Sequence, residues 1–319
     1  MKRIRLLNSS IAQSLRTSRM TRTFTLSLFH SLLVVSLSAC EDEIDVKLDT
    51  GRSELAVDAW VTDQPGPQVI KLSQTSAYFD AALPPAATGA TVTITDDKGR
   101  VYSFVDSKND GNYTWTPAGN DSVFGQVGRK YALKIVYKNE TYGAVSEMRP
   151  VPAVDSITFV KQRLTPVSQE EGYRAEFFAN DVPNSADFYW IRTYRNGKRL
   201  NQTSNLLFSY NGGFGTNGAD TDGLLFILPI RQGINPEELF DEKDEVRVEI
   251  LSITPDAYLF FQQLSGQVNN GGLFATPPAN VPTNIRNVND NGSKAVGYFG
   301  VSAVGSKTVR VEKANIRTE

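Results

Sequence analysis

The chain has 319 residues, with 33 Lys and Arg against 35 Asp and Glu, a formal net charge of −2, one cysteine and one histidine. Both of the last two, Cys40 and His30, fall within the first 40 positions, so everything downstream lacks thiol and imidazole. That excludes a disulfide framework, zinc sites made from Cys or His, and Ser-His or Cys-His catalysis in the body of the protein.

The chain opens with basic residues and then an apolar run from Phe24 to Ala39 without an acid, the layout of a secretory signal peptide over 1–39. The run is shorter than the roughly 20 residues that span a bilayer. Leu37, Ser38 and Ala39 before Cys40 look like a bacterial lipobox, in which the cysteine is acylated and becomes the first residue of the mature protein. Cys40 is therefore expected to be a lipidation site, an attachment point to membrane rather than a reagent. Met20 would begin a more compact signal than Met1, and is the expected start of translation. Six of the basic residues and none of the acids precede Cys40, which leaves 27 basic against 35 acidic side chains and a net charge of −8. Such a surface repels phosphate backbones, so nucleic acid is not an expected partner.

Residues 40–53 read as a flexible polar tether. From 54 to 149 the pattern is two-residue alternation cut by turns. "ELAVDAWV" and "QVIKLSQ" are expected strands, and "ATVTITDDKGRVYSFVD" is a hairpin with Val92, Ile94, Tyr102 and Phe104 on its apolar side. "GNYTWTP" adds a strand, and a second hairpin turns at Lys138-Asn139-Glu140. About seven short strands at turn spacings near ten point to an immunoglobulin-like or transthyretin-like sandwich. Pro150 and Pro152 mark a linker at 150–155.

Residues 156–319 read as a second β-rich domain with strands "SITFVKQ", "YRAEFFAND", "DFYWIRTYRNGKRLN", "GLLFILPI" and "DEVRVEILSIT", then two closing strands. The predicted helix covers 255–268: Thr254 can cap it, Pro255 suits its first position, and Ala257, Phe260, Phe261, Leu264 and Val268 form its apolar stripe. The expected fold class is thus mainly β, with two β-sandwich-like domains, the second antiparallel and carrying one helix.

Few motifs carry chemistry. "GFGTNG" at 213–218 matches a dinucleotide loop letter for letter but precedes a turn rather than a helix, so it reads as a chance match in a hairpin loop. "NVNDNG" at 287–292 lacks the charges and the closing glutamate of a calcium loop, and "DTDG" at 220–223 lacks its glycine. Both read as turns, and neither a metal nor a cofactor is expected. Glu237 and Glu238 read as helix-start acids, and "RNGKR" at 195–199 as a solvated hairpin tip. Tyr78 and Phe79, in the proline-rich loop "SAYFDAALPPAATG", form a possible partner-contact loop, where exposed aromatics either meet a partner or plug a domain seam. Paired carboxylates for glycoside hydrolysis stay open, because their spacing is spatial.

In order along the chain, the lipobox with "CEDEIDV", "LAVDAWVTDQPGPQVIKLSQT", "ATVTITDDKG", "GNYTW", "RPVPAVDSI", "PPANVPTNI" and "GYFGVSA" resemble a Bacteroidota lipoprotein family, domain of unknown function 4249. The family's asparagine-isoleucine and glycine-tyrosine-phenylalanine-glycine elements correspond to Asn284-Ile285 and Gly297 to Gly300, with a longer insert between them here. The resemblance implies an outer-membrane lipoprotein, often associated with TonB-dependent transporters, and supplies no catalytic residues. The acids after Cys40 look like the surface-export signal of such lipoproteins, which implies the cell exterior. The expected function is a non-enzymatic accessory or ligand-binding partner of a TonB-dependent transporter, its ligand unnamed. The alternatives are a glycan-acting hydrolase that uses two carboxylates, or an adhesin-like structural module.

Overall fold

The computed structural model describes residues 53–76, 82–119, 123–167, 169–214, 220–235, 239–270 and 281–317. Cys40 and the residues before it, Tyr78, Phe79, Glu237, Glu238 and most of "GFGTNG" lie outside the described residues. Residues 51–319 group into one unit.

Seven strands fill the first half: β1 (Leu55–Thr62), β2 (Gln68–Gln74), β3 (Thr91–Asp96), β4 (Val101–Phe104), β5 (Asn112–Trp115), β6 (Lys130–Tyr137) and β7 (Glu140–Glu147). In the second half come β8 (Ser156–Arg163), β9 (Glu171–Phe178), β10 (Phe188–Arg195), β11 (Lys198–Arg199), β12 (Leu207–Tyr210) and β13 (Glu245–Ile253). The last strands are β14 (Arg286–Asn287), β15 (Ala295–Ser302), β16 (Val304–Arg310) and β17 (Ile316–Arg317). Helices α1 (Leu228–Gln232) and α2 (Pro255–Val268) interrupt them. The protein is mainly β and its layers are sandwich-like.

Alternation sets the layers. In β1 the side chains of Val57, Ala59 and Val61 are buried while Asp58 faces water; in β6 Tyr131, Leu133 and Ile135 are buried between exposed Lys130, Ala132 and Lys134. One face of each strand therefore enters a shared core. The first sheet runs β15-β1-β2-β5 and the second β14-β7-β6-β3-β4. Their inner faces enclose one core, which takes Ile285, Phe299 and Val301 from the far end of the chain. A third sheet, β11-β10-β13-β16 with β12 also on β10, and a fourth, β17-β8-β9, enclose a second core around Phe177, Tyr189, Phe226 and Phe240.

The sequence boundary at 150–155 falls between the strands of the two cores, yet the chain crosses it again. β15 pairs in parallel with β1 over all eight residues, from Leu55 opposite Ala295 to Thr62 opposite Ser302. After Ala303 the same run continues as β16 and pairs with β13. One nearly uninterrupted strand is thus shared by both sandwiches.

One reading of the second half changes. "GLLFILPI" is not a strand: Leu225 makes an isolated bridge to Asn180, and α1 starts at Leu228 with Pro229 in its first turn. Its apolar residues match a buried strand in composition, but Pro229 has no N–H for a ladder and suits a helix start. β12 fills the place beside β10 instead. The "RNGKR" turn is a tight, exposed reversal as expected, with Asn196 and Gly197 both at positive φ and Lys198 and Arg199 exposed, and its first residue is also engaged in ion pairs. Arg195 pairs with Asp241 at 2.7 Å and Asp244 at 2.6 Å. Arg199 lies over the ring of Trp190.

Helix α2 forms as the sequence predicts, with Thr254 Oγ1 accepting from Ala257 N and Pro255 in the first turn. Its buried residues are Ala257, Tyr258 and Phe261, and Val268 is exposed. It packs on the outer face of the third sheet, where Trp190, Leu251 and Ile253 form a third apolar cluster with it and with Tyr298 of β15. That cluster is the seam between the two sandwiches.

Candidate functional site

At the seam the outer face of the first sheet meets the outer face of the third, and a cleft of about 670 Å³ opens between them. Its floor is one rung that crosses four strands. Tyr298 of β15 lies opposite Asp58 of β1, Asp58 opposite Lys71 of β2, and Lys71 opposite Asn112 of β5, and all four line the cleft. Residues opposite one another point to the same face, so the register that buries Val57 and Ala59 also presents this polar rung.

One wall is Trp60, the outward residue of β1 two positions after Asp58. Its ring lies across Gly300, where a Cβ would stand 2.6 Å from the indole, so a glycine is needed for the ring to lie flat on β15. Trp60 Nε1 donates to Ser302 Oγ at 3.0 Å, which fixes the indole plane. The roof is α2, with Phe260, Phe261 and Leu264. Tyr298 Oη donates to Asp256 Oδ2 at 2.6 Å and ties the first turn of this helix to β15. Burial first, and then that carboxylate, push the Tyr298 hydroxyl far above its ordinary range, so it remains a donor.

The opposite wall comes from β10 and β11. On β10, Tyr189 and Ile191 enter the second core, and Trp190 and Arg192 face the seam. Trp190 stands edge-on to Trp60, ring centres 5.2 Å apart, and packs on Phe261 at 4.7 Å. The Asn196-Gly197 turn sets Arg199 opposite Tyr194, which returns a second guanidinium to the same indole. The Arg192 guanidinium carbon is 3.8 Å from the centre of a Trp190 ring and that of Arg199 4.8 Å. A smaller cavity of about 180 Å³ continues the cleft past Trp190, Arg199, Leu206 and Leu264 toward Gln202 and Asn269.

The electrostatics are one-sided. Lys71, Arg192 and Arg199 line the cleft with a single carboxylate, Asp58, among its described lining residues. Arg192 keeps some contact with solvent but has protein on most sides; burial, then the like charge of Arg199, push its guanidinium down to about 10. Glu249 stands directly across the strand pair from Arg192. That acid is engaged by others: Tyr194 Oη donates to its Oε2 at 2.8 Å and Arg247 lies 3.4 Å from its Oε1. Arg192 Nε has no hydrogen-bond partner.

The sequence marked none of these residues as a ligand contact: Phe260, Phe261 and Leu264 read as a helix stripe, Arg199 as part of a hairpin tip and Tyr298 as part of a family element. The available signal was Trp60 on the polar face of an amphipathic strand, since a large aromatic in step with Asp58 points away from that strand's own core. "DFYWIRTYR" is apolar on both faces, which marks a strand covered on both sides but does not say by what. The motifs weighed as metal loops are turns. Asn287 Oδ1 accepts from Asn289 N and Asn289 Oδ1 from Asn291 N, while Asn287 Nδ2 donates to Glu140 and to Ser293 O. Asp222 accepts from Asn184 N. Among the described residues no group of three or more His, Cys, Asp or Glu is placed to hold a metal ion, and none of the helices is long and apolar enough to cross a membrane.

The family model of a domain of unknown function, DUF4249, matches residues 41–308, and no curated protein matches. The chain belongs to that family.

Proposed function

We propose that this protein is an outer-membrane lipoprotein, anchored through acylated Cys40 and facing the cell exterior, that acts without catalysis as a ligand-binding accessory of a TonB-dependent transporter. The observation that carries the reading is the seam cleft. It has the size of a small-molecule site, apolar and aromatic walls, and a few polar groups fixed on strands rather than on loops. Tyr298 is held by its hydrogen bond to Asp256 and the two arginines by stacking on Trp190, so this part of the site needs little ordering on binding. The cationic lining offers recognition groups, and the general acid and base pair of a glycosidase needs two carboxyls, where the cleft has Asp58.

Anchoring and partnership are tested together. Cells that express the wild type and the Cys40→Ser variant are fed labelled palmitate and fractionated. The wild type is expected to take up label, sediment with outer membrane and co-purify with a TonB-dependent transporter from mild detergent; the variant is expected to lose all three. Membrane association of the variant equal to that of wild type, or wild type recovered free of any transporter in several detergents, refutes the proposal.

A further inference from the structure

The guanidinium of Arg192, hydrogen-bonded to Tyr194 and braced on Trp190 beside Arg199, fixes the chemistry of what enters the cleft. We infer that the cleft binds a carboxylate joined to a ring, the carboxylate held by Arg192 and Arg199 and the ring lying against Trp60 and Phe260. The inference rests on the cleft being a ligand seat and adds the class of ligand.

A guanidinium carries five donors in a rigid plane, and stacking on an indole leaves its edge free. In this seam two such planes converge on one tryptophan, and their charges repel. The acid nearest by register, Glu249, already accepts from Tyr194 and pairs with Arg247. Asp58 sits on the floor opposite Lys71 in the strand ladder. An enclosed arginine, Arg192, and an exposed one, Arg199, thus stack on the same indole, neither of them in a salt bridge among the described residues, in a chain whose processed form carries net negative charge. An incoming carboxylate relieves the repulsion between the two cations that line the cleft, while Arg192 Nε itself is enclosed by protein. Two N–H groups of one guanidinium match the two oxygens of a carboxylate, the arrangement that makes such pairs directional and strong.

The rest of the lining specifies the body of the ligand. Trp60 and Phe260 offer apolar flat surface, while Asn112 and Lys71 offer donors along the floor. A flat or nearly flat ring with polar edges satisfies both, and a volume of about 670 Å³ admits several rings in line. Acidic sugars and aromatic acids share this chemistry.

The test uses the full processed chain in detergent and four probes: tri-galacturonate, 2-naphthoate and the methyl ester of each. The readouts are calorimetry and the fluorescence of Trp60 and Trp190. At least one acid is expected to bind and to quench, with its ester about ten-fold or more weaker. Arg192→Gln and Arg199→Gln should each weaken it by a similar factor, Arg192→Lys should recover part of the loss, and near-ultraviolet circular dichroism should be unchanged. Binding of tri-galacturonate alone assigns an acidic sugar, and of naphthoate alone an aromatic acid. Esters that bind as well as acids overturn the anion while leaving the seat in place. Acids that bind the arginine variants as they bind wild type overturn the inference, and so does the failure of all four probes, while transporter co-purification continues to test the wider reading separately.

Discussion

Gly297 shows how closely two strands can be required to approach. Its φ is +97°, and a Cβ there would lie 2.0 Å from the carbonyl oxygen of Val57 on the neighbouring strand. Both the backbone conformation and the spacing demand glycine. Gly297→Ala is expected to destabilise the protein by roughly 3 kcal/mol, as strained φ and forced separation of β1 from β15 combine; urea unfolding measures it, and a loss below about 1 kcal/mol would show that β15 can shift to absorb a methyl. Asn284 works on the same strand. Its side-chain amide accepts from Phe299 N at 2.9 Å and donates to Phe299 O at 2.8 Å, so it imitates a neighbouring strand where the sheet ends. These contacts supply a physical reason for the glycine-tyrosine-phenylalanine-glycine and asparagine-isoleucine elements noticed in the sequence. Spacing alone could not reveal them, because the partners are 15 residues apart for Asn284 and on the far side of the chain for Gly297.

Among the elements, α2 was the most legible, because cap, proline, acid and apolar stripe agree on one start and one face. Thr254→Ala is expected to cost about 1 kcal/mol or somewhat less, given the long 3.4 Å cap contact, and the loss should appear as faster amide hydrogen exchange in the first turn of the helix. Exchange that rises equally throughout the third sheet would instead make the helix inseparable from the sheet beneath it. What the stripe did not reveal was its rotation: Tyr258 is buried and Val268 exposed, since the helix lies against Phe188, Trp190 and Phe208 at its N-terminal end and reaches past the sheet at the other. The hairpins were legible for a similar reason to α2, as alternation and positive-φ turn residues at Lys138-Asn139 and Asn196-Gly197 point the same way. "GLLFILPI" failed because an apolar run without period does not distinguish a buried strand from a turn that leads into a short helix. The cleft was illegible for a deeper reason. Asp58, Lys71, Trp190, Arg192 and Tyr298 are ordinary strand residues one at a time, and only the pairing of distant strands makes them neighbours.

For the whole molecule the decisive pairing is that of β1 with β15, joined across more than 230 residues. Phe299, Val301 and Ala303 complete the first core, and Ile285 joins them. A fragment of residues 54–149 lacks these and leaves β1 as an open edge, so it is expected to show no cooperative transition in urea by circular dichroism, whereas residues 40–319 should unfold in one step. Cooperative unfolding of the fragment would establish that the first core is sufficient without its C-terminal strand. Composition and alternation disclosed two layered β regions, but a strand contributed from the opposite end of the chain leaves no local trace, since its own pattern is equally satisfied by either sandwich.

The direction of β15 has a mechanical consequence. The chain enters β1 at Leu55, and its parallel partner leaves at Ser302 into the second sandwich. Tension applied between the start of β1 and the second sandwich would pull the two ribbons past one another lengthwise, loading their hydrogen bonds all at once rather than peeling them singly. The joint is built to resist being dragged.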